Sequence, residues 1–286
     1  MVDEDKEYEP IFKRAVVAAA FSPRLIAVLN EAHRILKILG TWPIIVHVGE
    51  DTVANRTKLE EGIERSNFKD HPPIHLIRTG HPADVLIEVA KEYHADLIVA
   101  GAMKKEGLFK YYLGSVARNL ARHAPCSVLL FTDPQINPKP IEKIHCAVEY
   151  DDESRLAVEV AANIAYYAGT RDLYLTHSFR MQQWEDRKKF PEDTEEIKKV
   201  YKEEEEKLRK FLGQFNFWNL QYHIQCLYEN SRSSTLKFTR EMGADLFIVT
   251  GPRNRLGLWD RLFPHDLELA LMDLPCSLLL VRKSQT

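Results

Sequence analysis

Short apolar runs alternate with amphipathic stretches along the whole chain. Arg14 to Ala20 is rich in small and β-branched apolar residues, the pattern of a strand buried on both faces. Leu25, Leu29, Ala32, Leu36 and Leu39 then recur at spacings of four, three, four and three, which marks one face of a helix. Ser22-Pro23 is its expected start and Gly40 its expected stop. Pro43–Val48 reads as a second strand, Thr52–Asn67 as a helix and Ile74–Arg78 as a third strand. Pro82–Tyr93 reads as a helix with Val85, Leu86, Val89 and Ala90 on its apolar face. Asp96–Ala100 is the fourth strand, Gly114–Arg122 a helix and Ser127–Phe131 the fifth strand. Strands that alternate with helices predict a mostly parallel sheet covered on both sides.

The pattern occurs twice. Ala95-Asp96-Leu97 leads an apolar strand into Gly101, and Ala244-Asp245-Leu246 leads another into Gly251. Gly107-Leu108 matches Gly257-Leu258, and Pro125-Cys126-Ser127 matches Pro275-Cys276-Ser277, each 150 residues later. The earlier matches, Arg14–Phe21 with Lys143–Tyr150 and Gly40-Thr41 with Gly169-Thr170, lie 129 residues apart. The second copy therefore carries about 21 more residues between its second and fourth strands. That extra length falls in Glu192–Gln214, where Ile197, Tyr201, Leu208 and Phe211 or Leu212 stand near helical spacing around the run Glu203–Glu206. The run reads as a solvated face, with a partner-binding helix as the alternative. Three prolines in Asp133–Pro140 mark a semi-rigid connector. The expectation is an α/β protein of two tandem doubly wound domains, 1–133 and 141–286, joined by a linker at 134–140.

Bulk properties narrow the field. A net charge of −3 and a pI near 6.4 give no field that would draw nucleic acid or an anionic membrane. No apolar run approaches the roughly 20 residues that span a bilayer. The acidic, polar start from Met1 to Pro10 is unlike a signal peptide. Four cysteines in 286 residues make no disulfide framework. A cytoplasmic protein is expected.

The candidate chemistry lies after the fourth strand. Gly101 is followed by Lys104, and after nine more residues by Gly114-Ser115-Val116. Glycine lets backbone approach an anion, and a helix opening at Gly114-Ser115 offers free N–H groups and the positive end of its dipole. With Arg122-His123-Ala124-Pro125-Cys126 before the fifth strand, this segment resembles the signature of the universal stress protein family: Gly, two residues, Gly, nine residues, Gly-Ser or Gly-Thr. The resemblance spans both halves and implies a sheet of order 3-2-1-4-5 in each. It further implies that the loop and Gly-Ser hold the phosphates of ATP or another adenine nucleotide, with Mg2+ accompanying them. Residues ending the second strand, Val46 to Val48, would line the base pocket.

The first copy departs from the family at the second glycine, which is Lys104, and at an aspartate after the first strand, where Ala20 stands. In the second copy Gly251 remains, but the second glycine is Asn254, and Pro264-His265 followed by Asp266 replaces Gly-Ser. Proline removes a donor and aspartate repels phosphate, so no nucleotide is expected there. Glu149 alone keeps the carboxylate position.

The resemblance implies no catalysis, and no complete P-loop or metal-ligand spacing is present. His47 and His177 end equivalent strands, while His71, His75 and His81 surround the third strand; these read as structural or surface residues. Cys126 and Cys276 read as buried packing, Arg253 and Arg255 as loop solvation, and His265-Asp266 beside Arg261 as no catalytic pair. Three functions stay open: a nucleotide-sensing signalling protein, an interaction scaffold for unknown protein partners, and, last, a nucleotide hydrolase. The resemblance further implies that the two halves pair as an intrachain pseudo-dimer through their apolar fifth strands, Ser127–Phe131 and Ser277–Val281, which as uncovered edges would be an aggregation liability; a homodimer of two chains is compatible with it.

Overall fold

The computed structural model describes residues 10–70, 72–104, 111–112, 114–179, 195–228, 234–251 and 274–283. The first half runs β1 (Arg14–Ala18), α1 (Leu25–Leu39), β2 (Trp42–Val48), α2 (Val53–Glu64), β3 (Ile74–Arg78), α3 (Pro82–Glu92) and β4 (Leu97–Gly101). A two-residue hairpin, β5 (Met103–Lys104) and β6 (Tyr111–Tyr112), precedes α4 (Ser115–His123) and β7 (Ser127–Phe131). The second half runs β8 (Lys143–Ala147), α5 (Asp152–Ala168), β9 (Asp172–Phe179), α6 (Glu195–Leu212), β10 (Tyr222–Tyr228), α7 (Ser234–Glu241), β11 (Leu246–Thr250) and β12 (Ser277–Val281).

Ten strands form one sheet, in the order β10-β9-β8-β11-β12-β7-β4-β1-β2-β3. Counting the five long strands of each half separately, both follow 3-2-1-4-5 and pair in parallel. The exception is the joint. β12 runs antiparallel to β7, with Leu279 opposite Leu129 and Leu278 opposite Leu130. The central strands β4 and β7 are apolar on both faces because helices cover both. The outer strands β3 and β10 are more exposed.

Each helical layer packs over the joint. α1, α2, α5 and α6 share one buried cluster with Leu129, Phe131, Leu279 and Val281. α3 and α4 bury the other face with Val128, Leu130, Leu278 and Leu280.

The repeated Ala-Asp-Leu has a structural explanation. Asp96 Oδ2 accepts the amides of Lys13 and Arg14, and Asp245 Oδ2 those of Glu142 and Lys143. Each carboxylate thus satisfies the backbone donors that open its neighbouring first strand. Gly40 and Gly169 end α1 and α5 in the left-handed region, at φ 63° and 66°, which a side chain would disfavour.

Helix α1 starts later than expected. Ser22-Pro23 lies in a turn, Ser22 Oγ accepts the Arg24 amide at 3.3 Å, and Arg24 occupies the cap position. The turn leaves Arg24 free to reach the strand ends. α2 is shorter than its apolar pattern suggested, beginning after Thr52, whose hydroxyl accepts the Asn55 amide. The connector is tied to the first half, since Asn30 Nδ2 donates to Ile136 O at 2.7 Å.

α6 has 18 residues where α2 has 12, so it holds only part of the extra length expected at Glu192–Gln214; more of it falls between the end of β9 at Phe179 and the start of α6 at Glu195. Ile197, Leu208 and Leu212 are buried, while Glu203 and Glu206 are exposed and Glu204 and Glu205 half-buried. Within the second core, His145 is fully buried and neutral. Thr239 Oγ1 donates to Thr235 O, so it must accept from His145 Nδ1, and His145 Nε2 accepts from Thr176. Burial pushes the His145 pKa down to about 3.

Candidate functional site

In open parallel sheets, ligands sit beyond the carboxyl ends of strands where the connections diverge. In the first half that point lies between β1 and β4: β1 leads outward to β2 and β3, β4 inward to β7. Gly101 ends β4 there. A Cβ on Gly101 would lie 2.8 Å from Val28 Cγ2 of α1, so a side chain would press on that helix. Ala102 N then donates to Phe131 O at 2.7 Å, and β5 and β6 pair Met103 with Tyr112 and Lys104 with Tyr111. The side chain of Lys104 lies outside what the structure describes.

Gly114 caps α4 with φ −60° and ψ 168°. Among the described residues no side chain caps this helix end, and its first turn carries no acidic residue. Ser115 is exposed and Val116 half-buried. The first-turn amides have no acceptor within the helix, so the end favours an anion. Gly101, Lys104, Gly114, Ser115 and Val116 therefore belong to one strand–hairpin–helix segment. Val46 is apart from it: the side chain is buried in the α3/α4 core, and its carbonyl accepts the Ala19 amide.

The residue that reaches the strand ends beside Val46 is His47. Its ring stacks on Phe21, with centroids 3.5 Å apart and planes 17° from parallel, and Nδ1 donates to Ala19 O at 2.8 Å. Lys58 of α2 holds its ammonium 4.7 Å from the Phe21 centroid. The second half repeats the device. Tyr150 and His177 lie 4.1 Å apart, and His177 Nδ1 donates to Val148 O at 2.7 Å. There the charge is reversed, since Glu204 of α6 lies 3.9 Å from His177 Nε2. Burial lowers the His177 pKa and, with Cys226 and Glu204 nearby, raises that of Tyr150.

Arg24 completes the first-half rim. Nη1 donates to Ala102 O and Nη2 to Thr132 O, both at 3.0 Å, and Asp133 lies 3.6 Å away. The cation pins the start of α1 to the ends of β4 and β7. Sequence reasoning missed both Arg24 and the ring pair. The available signal was an aromatic residue after the first strand and a histidine ending the second, in both copies.

The strand register corrects one repeat match. Gly101 pairs with Phe131 and Thr250 with Val281, while Ala102 N and Gly251 N donate to Phe131 O and Val281 O. Gly251 thus occupies the place of Ala102, and Thr250 that of Gly101. The extra residue between Asp245 and Gly251 moves the glycine one step past the strand. Asn254, Pro264, His265, Asp266, Arg253, Arg255 and Arg261 lie outside the described residues, as does His71. Glu149 is held by its backbone, its amide donating to Ser154 Oγ. Among the described residues no group of three or more His, Cys, Asp or Glu could hold a metal, and no helix is long and apolar enough to cross a membrane.

Residues 46–132 match the profile of the Universal stress protein family. A universal stress protein of Methanocaldococcus jannaschii is 33% identical over 97 residues, covering 34% of this chain and 55% of that protein. One from Mycobacterium bovis is 27% identical over 158 residues, covering 47% and 52%. The chain thus spans about half the length of the curated relatives it matches. A crystal structure of a proposed universal stress protein from Pseudomonas aeruginosa has a TM-score of 0.70 at 17% identity, over 94% of this chain and 93% of that one, a likeness of fold that takes in both halves. Residues 46–132 thus carry the sequence pattern of the Universal stress protein family, and the two halves together share the fold of a solved structure of that description.

Proposed function

We propose that this chain is a non-catalytic stress-response protein of the cytoplasm, with domains at 1–133 and 141–286, whose first domain holds an adenine nucleotide. The observation that carries this is the segment from Gly101 to Val116. A strand end without a side chain, packed against Val28, leads to a helix whose amino end has no side-chain cap among the described residues. Gly101, Gly114, Ser115 and Val116 would take the phosphates of ATP with Mg2+, and Lys104 and Lys58 add positive charge to the same edge.

The nucleoside side fits less closely. Ala20 is exposed but carries no carboxylate, and Phe21 and His47 close the ends of β1 and β2. In this reading the base lies against their rim, with Val46 supplying backbone rather than side chain. Glu204 stands in the second half where Lys58 stands in the first, which supports a single anion site per chain.

Calorimetric titration with ATP, ADP and AMP tests the reading, on the wild type and on Gly114→Val. Saturable heat lost in the variant supports it. The Phe21–His47 pair and Arg24 already fill part of the rim, which favours a scaffold for protein partners as the second reading. Absence of heat and of any thermal shift with all three nucleotides would establish that one. Phosphate release on turnover would return the protein to the enzymes.

A further inference from the structure

Arg282 follows the last strand of the second half, yet its side chain serves the first. Ser127 Oγ accepts the Arg282 amide at 3.0 Å and donates to the Arg282 carbonyl at 3.1 Å, fixing its backbone across the joint. The guanidinium then reaches the carboxyl end of α4. Nη1 donates to Ala124 O at 3.0 Å and Nη2 donates to Ala121 O. The last carbonyls of a helix lack internal partners and carry the negative end of its dipole, so a buried cation there is well placed. Burial nonetheless lowers the Arg282 pKa to about 10.

Among the described residues the brace runs one way. A Cβ on Gly251 would lie 2.5 Å from Arg282 Nε and 2.7 Å from its Cγ, so this glycine makes room for the arginine. The strand register places Ala102 and Thr132 at the corresponding positions of the first half. Threonine is far shorter than arginine and carries no cation, and Ala102 has a methyl where Gly251 has none. The glycine that looks like a phosphate-loop remnant has a packing role instead.

We infer that Arg282 is a positioning residue for α4, and that through this helix the second half sets the affinity of the anion site in the first. The affinity part rests on the nucleotide reading above; the support of α4 does not. Among the described residues no side chain caps the amino end of α4, while Arg282 holds its far end.

The test uses the full chain as wild type, Arg282→Met, Arg282→Lys and, as a control for seam packing, Val281→Ala. Amide hydrogen exchange along Ser115–His123 is followed together with ATP titration. Arg282→Met is expected to speed exchange in α4 while β1, β2 and β8 keep wild-type protection, and to weaken ATP by about fivefold, the scale of a helix-end charge contact. Arg282→Lys should fall between. Val281→Ala should lower Tm and leave ATP affinity unchanged. Wild-type exchange in α4 of Arg282→Met, or acceleration spread evenly over the sheet, overturns the inference. So does an unchanged ATP affinity beside a loosened α4. If the wild type takes no ATP, the nucleotide reading falls, and exchange in α4 alone decides whether Arg282 is its brace.

Discussion

Asp96 receives the amide of Lys13 at 2.8 Å, across 83 residues of chain. Asp245 does the same for Lys143 in the second half. Asp245 is exposed and Asp96 half-buried, so water replaces part of what each supplies. Asp96→Ala and Asp245→Ala should each lower stability by about 1 kcal/mol in urea denaturation. The sites are in separate halves, so the double variant should lose the sum. A loss concentrated in one variant would show that the two clamps are not equivalent.

These clamps mark what the sequence made legible. Ala-Asp-Leu was visible as a repeat, and the apolar runs placed the long strands of the first half, whereas the 3-2-1-4-5 order and the joint of β7 to β12 were legible only through the family resemblance. The strands depend on periodicity, which is local. Arg24, Arg282 and the Phe21–His47 pair depend on contacts between distant segments. A lone arginine after a turn or a strand looks like any surface cation until the carbonyls it meets are known. The one-residue shift at Gly251 escaped for the same reason: only pairing with β12 shows which residue ends β11.

The exposed position of Ala20 allows a gain-of-function test. Family resemblance puts an aspartate there. Ala20→Asp should leave the fold intact and tighten ATP by about fivefold, the value of one added hydrogen bond of roughly 1 kcal/mol. Titration calorimetry checks it. An affinity equal to that of the wild type would mean that no nucleoside lies beside the end of β1.

His145 gives the second half a pH dependence. A histidine in the unfolded chain titrates near 6.5, and the folded pKa is about 3. Between these values the unfolded chain takes up a proton that the folded one refuses. The stability involved is fully present above about pH 6.5 and is lost as pH falls toward 3, at up to about 1.4 kcal/mol per pH unit. Urea midpoints at pH 7.5 and 5.0 measure this. His145→Gln should be less stable at pH 7.5 and show a shallower decline; an equal decline would assign it to other groups.

Cys126, Cys146 and Cys276 are buried, and burial raises each pKa to about 12. Thiolate is the reactive form, so these cysteines should resist an aromatic disulfide reagent at pH 8 in the native protein. All should react once urea unfolds it. Rapid labelling of Cys126 or Cys276 without urea would indicate that the joint opens.

The joint between β7 and β12 also limits what a second chain can do. Each half spends its fifth-strand edge on the other, so neither has one left to offer. The sheet terminates in β3 and β10, the two third strands, and growth by strand addition would have to begin there. A homodimer built on fifth strands would require this chain first to come apart. Internal duplication has left the molecule saturated at the surface through which its halves recognise each other.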